Sequence, residues 1–143
     1  MKKALISLLF ISLVSSAAIA VGGTYSDAYI KNMKTCTVHI EKYDAEIPTD
    51  DVNTPSLHLT STETISGWQN GKCVTKSVVY SKELGQNILT TQCEFNEKQL
   101  ASVVKKMEDS KTGDAKARQK LQEELTNYVK DNSICTVNNL LEK

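Results

Sequence analysis

Two rhythms divide the chain. Between Ser56 and Phe95, β-branched and apolar residues alternate with polar ones, whereas the last third repeats its apolar positions every three to four residues. The alternating part holds three runs, Leu57–Ile65, Cys73–Tyr80 and Asn87–Phe95. Asn70-Gly71 separates the first two. Both residues tolerate φ > 0, so the pair suits a two-residue type I′ turn whose twist matches its flanking strands. A turn over Glu83–Gln86 separates the second and third, which makes residues 56–95 an antiparallel meander.

Helical patterns flank it. Thr24 is placed to cap a helix on which Tyr25, Tyr29, Met33 and Cys36 form one stripe, ending near Lys34 or Thr35. Cys36–Glu41 then alternates with period two, which reads as a short fourth strand or as one more turn of that helix. Asp44–Pro55 carries both prolines and four acids, and reads as a loop. After the third strand, Asn96 caps a helix, Gln99 completes a capping box, and Phe95 is placed to staple onto Leu100. Leu100, Val103, Val104 and Met107 are its buried stripe. Ser110–Gly113 breaks the pattern, Asp114 caps the next helix, and Ala117, Leu121, Leu125 and Tyr128 form the stripe of that one. The expected fold is α+β: an N-terminal helix, a three-stranded meander with a possible fourth strand, and two C-terminal helices.

The sheet's faces do not separate cleanly. Pairing Trp68 with Cys73 puts Val79, Leu89, Cys93 and Phe95 on their side, yet the other side receives Leu57, Leu59, Ile65, Val74, Val78, Tyr80 and Ile88. Strong curvature, partial cover of both faces, or a bulge near Thr60–Thr64 would each account for this.

The first twenty residues change the picture. Lys2 and Lys3, an apolar Ala4–Val14 and Ala18-Ile19-Ala20 match a secretory signal peptide, with cleavage expected after Ala20. Residues 21–143 then form one small domain. Loss of two of the 17 basic residues leaves 15 against 17 acids, a net charge of −2. That balance argues against nucleic-acid binding. No later run is apolar enough to span a bilayer, so no stable membrane insertion is expected once the signal is removed.

Cys36, Cys73, Cys93 and Cys135 all follow the signal, and an even count in an exported chain reads as two disulfides. Of three connectivities, Cys73–Cys93 with Cys36–Cys135 is preferred. A turn centred near Glu83 sets Cys73 opposite Cys93 on neighbouring strands, within the roughly 4.4–6.8 Å that a bridge spans. A later-centred turn would weaken this choice.

Catalytic and metal chemistry is sparse. His39 and His58 are the only histidines, and neither lies beside a recognisable nucleophile motif. The cysteines are too widely spaced for zinc, and the acids of Asp44–Pro55 lack calcium-loop spacing. No metal or cofactor is expected. Trp68 stands out as the single tryptophan, at a hairpin tip with Asn70 and Lys72. It either anchors a protein or glycan partner or covers the Cys73 disulfide and closes the sheet.

No motif resembles a named family. In shape alone the arrangement is similar to small exported inhibitors of proteases or lysozymes. The expectation is a periplasmic or secreted, non-enzymatic binding or inhibitor-like protein of the cell envelope. It would meet an unknown macromolecule through Trp68, Asn70, Lys72 and the Asp44–Pro55 loop. The alternatives are a structural envelope component, or a hydrolase with a site near His39 or His58.

Overall fold

Leu59, Ser61, Glu63 and Ile65 lie on one face of a long strand, and from that face the rest of the architecture follows. The computed structural model describes residues 25–48, 53 and 56–140. The expected signal peptide, the Thr24 cap and most of the loop before Pro55 lie outside the described residues. The elements run α1 (Asp27–Thr35), β1 (His39–Pro48), β2 (Ser56–Gln69), β3 (Lys72–Ser81), β4 (Gln86–Phe95), α2 (Glu97–Thr112), α3 (Ala115–Lys130) and β5 (Cys135–Asn139). The class is α+β, as the patterns implied. Among the described residues, however, the sheet has five antiparallel strands in the order β1-β2-β3-β4-β5 rather than three or four, β4 and β5 being joined through the two C-terminal helices.

Both additional strands have a physical reason. β1 extends through Asp44–Pro48, a piece expected to be loop. It is an edge strand, where a terminal proline is tolerated. The acids of that piece, Asp44 and Glu46, point outward and are satisfied across the ladder: Thr60 Oγ1 donates to Asp44 Oδ1 (2.8 Å) and Ser56 Oγ to Glu46 Oε1 (2.7 Å). β5 is five residues long and is defined by its pairing with β4, Cys135 standing opposite Cys93.

The ambiguity of the faces is resolved by two bulges. Ile65 pairs with Thr75 and Gly67 with Val74, so Ser66 is an extra residue on β2. Because side chains alternate with period two, that single residue returns Leu59 and Ile65 to the face of Trp68 and Cys73. The bulge sits just beyond the Thr60–Thr64 stretch that the alternation pattern points to. A second shift, between Val79 and Tyr80, leaves Ile88 extra on β4. Tyr25, Tyr29 and Met33 of the N-terminal segment and Leu100, Val103 and Met107 of α2 pack with Ile65, Cys73 and Phe95 in one core. A smaller cluster, Ala45, Leu59, Val79, Ile88 and Leu89, continues the apolar surface along the sheet.

Local signals place the helices. The Asn96–Gln99 capping box is complete, with Gln99 N–H donating to Asn96 Oδ1 (2.8 Å) and Asn96 N–H to Gln99 Oε1 (2.9 Å). At α1 the cap is Ser26, whose Oγ accepts from Tyr29 N–H (2.9 Å), and not Thr24. The β2–β3 turn has positive φ at Asn70 (51°) and Gly71 (74°), as a type I′ turn requires.

The disulfides correct the preferred connectivity. They join Cys36 to Cys73 and Cys93 to Cys135. The β3–β4 turn is centred later than Glu83, so Cys73 faces Phe95 and Cys93 faces Thr75. Cys73 and Cys93 therefore share a face without standing opposite each other. Cys36, left-handed at φ 52° at the end of α1, reaches Cys73 on β3, and Cys93 reaches its ladder partner Cys135. Two such bridges, with no free cysteine among the described residues, indicate an oxidising, extracytoplasmic environment. No helix among the described residues is long and apolar enough to cross a membrane.

Two measurements check this architecture. Non-reducing peptide mapping will recover Cys36–Cys73 and Cys93–Cys135 peptides, and Cys36→Ala with Cys73→Ala will lower unfolding free energy by about 4 kcal/mol in the chain-entropy account of its closed loop. Gly67→Ala will cost about 1–2 kcal/mol in denaturant unfolding. The loss is conformational, because Gly67 has φ 93° while an added Cβ would meet Val38 at an ordinary 3.5 Å.

Candidate functional site

Trp68 stands on the helix-facing side of the hairpin tip, opposite Cys73. Its Nε1–H donates to the Thr35 carbonyl (3.3 Å), while 45% of the residue stays exposed. A groove of about 370 Å³ opens beside it, floored by Leu100, Ala101 and Val104 of α2 and rimmed by Lys34, Glu97, Lys105 and Glu108. The Cys36–Cys73 bridge joins the end of α1, the helix that carries Lys34, to the ladder partner of Trp68 on β3.

The other residues expected at this contact lie elsewhere. Asn70 serves the turn, and neither it nor Lys72 lines the groove. The loop before Pro55 leaves from the Ser56 end of β2, whereas Trp68 is at the Gln69 end. Twelve steps of about 3.3 Å put roughly 40 Å of strand between Ser56 and Trp68. The described part of the Asp44–Pro55 stretch, Asp44–Pro48, pairs with the Ser56–Thr60 half of β2, away from Trp68.

The histidines are fasteners. His39 Nε2 lies 2.8 Å from Glu41 Oε1, and that carboxylate also accepts from Ser26 Oγ and Tyr43 OH. Partial burial pushes the Glu41 carboxyl up, but hydrogen bonds from Ser26, Tyr43 and His39 outweigh it and hold the group below the usual carboxylate range. Ser26 therefore donates to the acid rather than to the imidazole, and the cluster ties the start of α1 to β1. His58 Nδ1 lies 2.6 Å from Glu83 Oε1 on the outer face, and this hydrogen bond draws the Glu83 carboxyl below its usual range. Neither arrangement aligns a nucleophile with a base.

A second locus was not anticipated. Between the sheet and the helices lies a chamber of about 70 Å³, and Glu63 points into it. Glu63 is only 7% exposed, and no lysine, arginine or histidine lines the chamber. Its Oε1 accepts from Ser61 Oγ and from Ser77 Oγ (2.7 Å). Burial nonetheless raises the Glu63 carboxyl above the usual range, because desolvation of the charge outweighs the two serine hydrogen bonds. The pairing register sets Glu63, Ser77 and Thr91 side by side on β2, β3 and β4. Thr91 is 5% exposed, and its hydroxyl has no hydrogen-bond partner. Tyr25, Tyr29 and Phe95 add aromatic rings, and Val103, Met107, Leu125 and Val129 add apolar walls. The signal for Glu63 was present in the chain as an acid sharing the parity of Leu59 and Ile65. It had meaning only once the Ser66 bulge assigned that parity to the covered face.

Comparison with protein-family models, curated proteins and solved structures finds no match for this chain. The groove and the chamber therefore stand on their own chemistry.

The chamber yields a pH prediction. A raised carboxyl pKa means the folded state binds its proton more tightly than the unfolded chain. The stability Glu63 contributes is thus complete below the ordinary carboxylate range and is lost as pH rises through the raised value. Glu63→Gln keeps the acceptor for both serines and cannot ionise. Its melting temperature will exceed that of the unaltered protein at pH 8, and the advantage will shrink towards pH 4 in paired thermal scans.

Proposed function

We propose that the chain works in the periplasm or as a secreted protein, as a small non-enzymatic binding or inhibitor-like protein of the cell envelope. It meets a macromolecular partner through the Trp68 groove. One observation supports this reading above the others: a tryptophan left 45% exposed beside an apolar groove, its ladder partner Cys73 held to the end of α1 by a disulfide. Large aromatic side chains in well-packed pockets dominate binding energy at protein interfaces, and a pre-shaped groove reduces the ordering cost of association. An apolar side chain of a partner protein fits between Trp68 and the Leu100–Val104 floor. Lys34 and Lys105 lie with Glu97 and Glu108 around the rim, which suits a partner surface of mixed charge. On the outer sheet face, Ile40 and Tyr80 are exposed among threonines and charged residues.

The test is affinity capture from the envelope of the source cell with the oxidised, processed protein, followed by Trp68→Ala. The variant will retain its near-UV spectrum and lose no more than about 1 kcal/mol of stability, as for a half-exposed side chain. Affinity for the captured partner will fall about 30-fold or more, the scale of a hot-spot truncation. Equal capture by both proteins would refute the reading.

A further inference from the structure

Glu63 is an expensive residue to place under two helices. A position needed only for packing is served by an aliphatic residue, as Ile65 shows two residues along the same face. Here the buried row instead reads Glu63, Ser77, Thr91 across three adjacent strands, within walls that, Thr75 apart, are apolar and aromatic. Ser61 and Ser77 both donate to one carboxyl oxygen, Oε1. They orient the carboxyl and leave Oε2 outside both of these hydrogen bonds. Two strands away, Thr91 Oγ1 is buried without a partner. An orphaned hydroxyl in a core is destabilising, and it is retained where something else completes it.

The occupant's chemistry follows from the donors and acceptors. Glu63 Oε2, the lone pairs of Ser77 Oγ, and Thr91 Oγ1 are three acceptors in a row. A primary ammonium group carries three N–H donors. It also supplies the counter-charge that the described lining lacks, and a buried carboxylate is tolerated when it is both paired and hydrogen-bonded. The aromatic rings of Tyr25, Tyr29 and Phe95 in the lining are compatible with a cation as well. The volume, about 70 Å³, is roughly half that of an engineered apolar cavity that holds benzene. That leaves room for about three non-hydrogen atoms, and for about five once the adaptable side chains of Met33 and Met107 give way. Leu125 and Val129 close the chamber from α3, which has Leu121 as its one fully buried residue and is therefore the wall best able to open.

We propose that the chamber over Glu63 is a binding site for a small primary alkylammonium, its charged head on Glu63, Ser77 and Thr91 and its alkyl chain against Phe95, Val103 and Met107. This site is separate from the Trp68 groove and does not depend on it.

The probe is n-butylammonium chloride, titrated into the oxidised protein at pH 7.5 and followed by amide chemical shifts and calorimetry. The expected result is saturable binding, with the largest shifts at Glu63, Ser77 and Thr91. Glu63→Gln, which preserves the serine hydrogen bonds, will weaken binding at least tenfold, and Thr91→Val several-fold, each with an unchanged near-UV spectrum. Butan-1-ol and tetramethylammonium, which lack the charge or the three donors, will bind at least tenfold more weakly. Absence of butylammonium binding overturns the proposal, as does equal binding by Glu63→Gln. Butanol binding as tightly as the amine overturns it too, since the chamber would then be an apolar cavity. A crystal structure after a butylammonium soak that shows only ordered water against Glu63 and Thr91 has the same force. Trp68→Ala will bind butylammonium unchanged, which separates this result from the fate of the groove.

Discussion

The structure depends on keeping the apolar side chains of a long, twisted sheet on one face. Helices α1, α2 and α3 lie on that side, and a strand out of phase would turn its apolar residues to solvent. β2 is fourteen residues long, and with strict alternation Ile65 and Trp68 would point to opposite sides. The extra residue at Ser66, followed by Gly67 at φ 93°, removes the conflict. Everything the helices cover, from Leu59 through Ile65 to Cys73 and Phe95, follows from that single insertion. So does the placement of Trp68 towards α2 rather than away from it.

The disulfides act on this frame at two different points. Cys36–Cys73 holds the end of α1 against β3, next to the Trp68 groove. Cys93–Cys135 holds the short β5 to β4 through opposed ladder residues. A domain of this size buries only a modest core, and covalent closure of long loops raises its stability chiefly by restricting the unfolded chain. The ion pairs are weaker contributors. Lys105–Asp109 and Lys34–Glu108 are exposed and add little. Lys106–Glu124 is more sheltered and links α2 to α3.

Much of the fold was legible in the chain because its signals are local. The Asn70-Gly71 turn, the Asn96–Gln99 box and the Leu100–Met107 stripe each depend on residues within one turn or one hairpin. The α+β class followed from them. What escaped reading depends on partners far along the chain. β5 is too short to show a period and exists through β4. The second half of β1 hid behind its acids and a proline, although Tyr43 and Ala45 alternate with Lys42, Asp44 and Glu46. The cysteine pairing turned on a shift of two residues in the β3–β4 register, which no local pattern specifies. The two loci fared differently. Trp68 was visible by its rarity. Glu63 was invisible among the threonines of its strand until the bulge put it indoors, beside Ser77 and Thr91 from two other strands.

The groove and the chamber share an origin in that arrangement, since the same face carries Trp68 at its tip and Glu63 deeper in. A sheet of alternating phase, without the bulge, would expose the acid and bury the threonines instead. The most direct measurement is the carboxyl-carbon NMR titration of Glu63 in the oxidised protein. The account predicts a midpoint clearly above that of the solvent-exposed glutamates, moved by desolvation beneath the helices. A midpoint within the ordinary carboxylate range would contradict it, because Glu63 would then face water and the covered face would have been assigned wrongly.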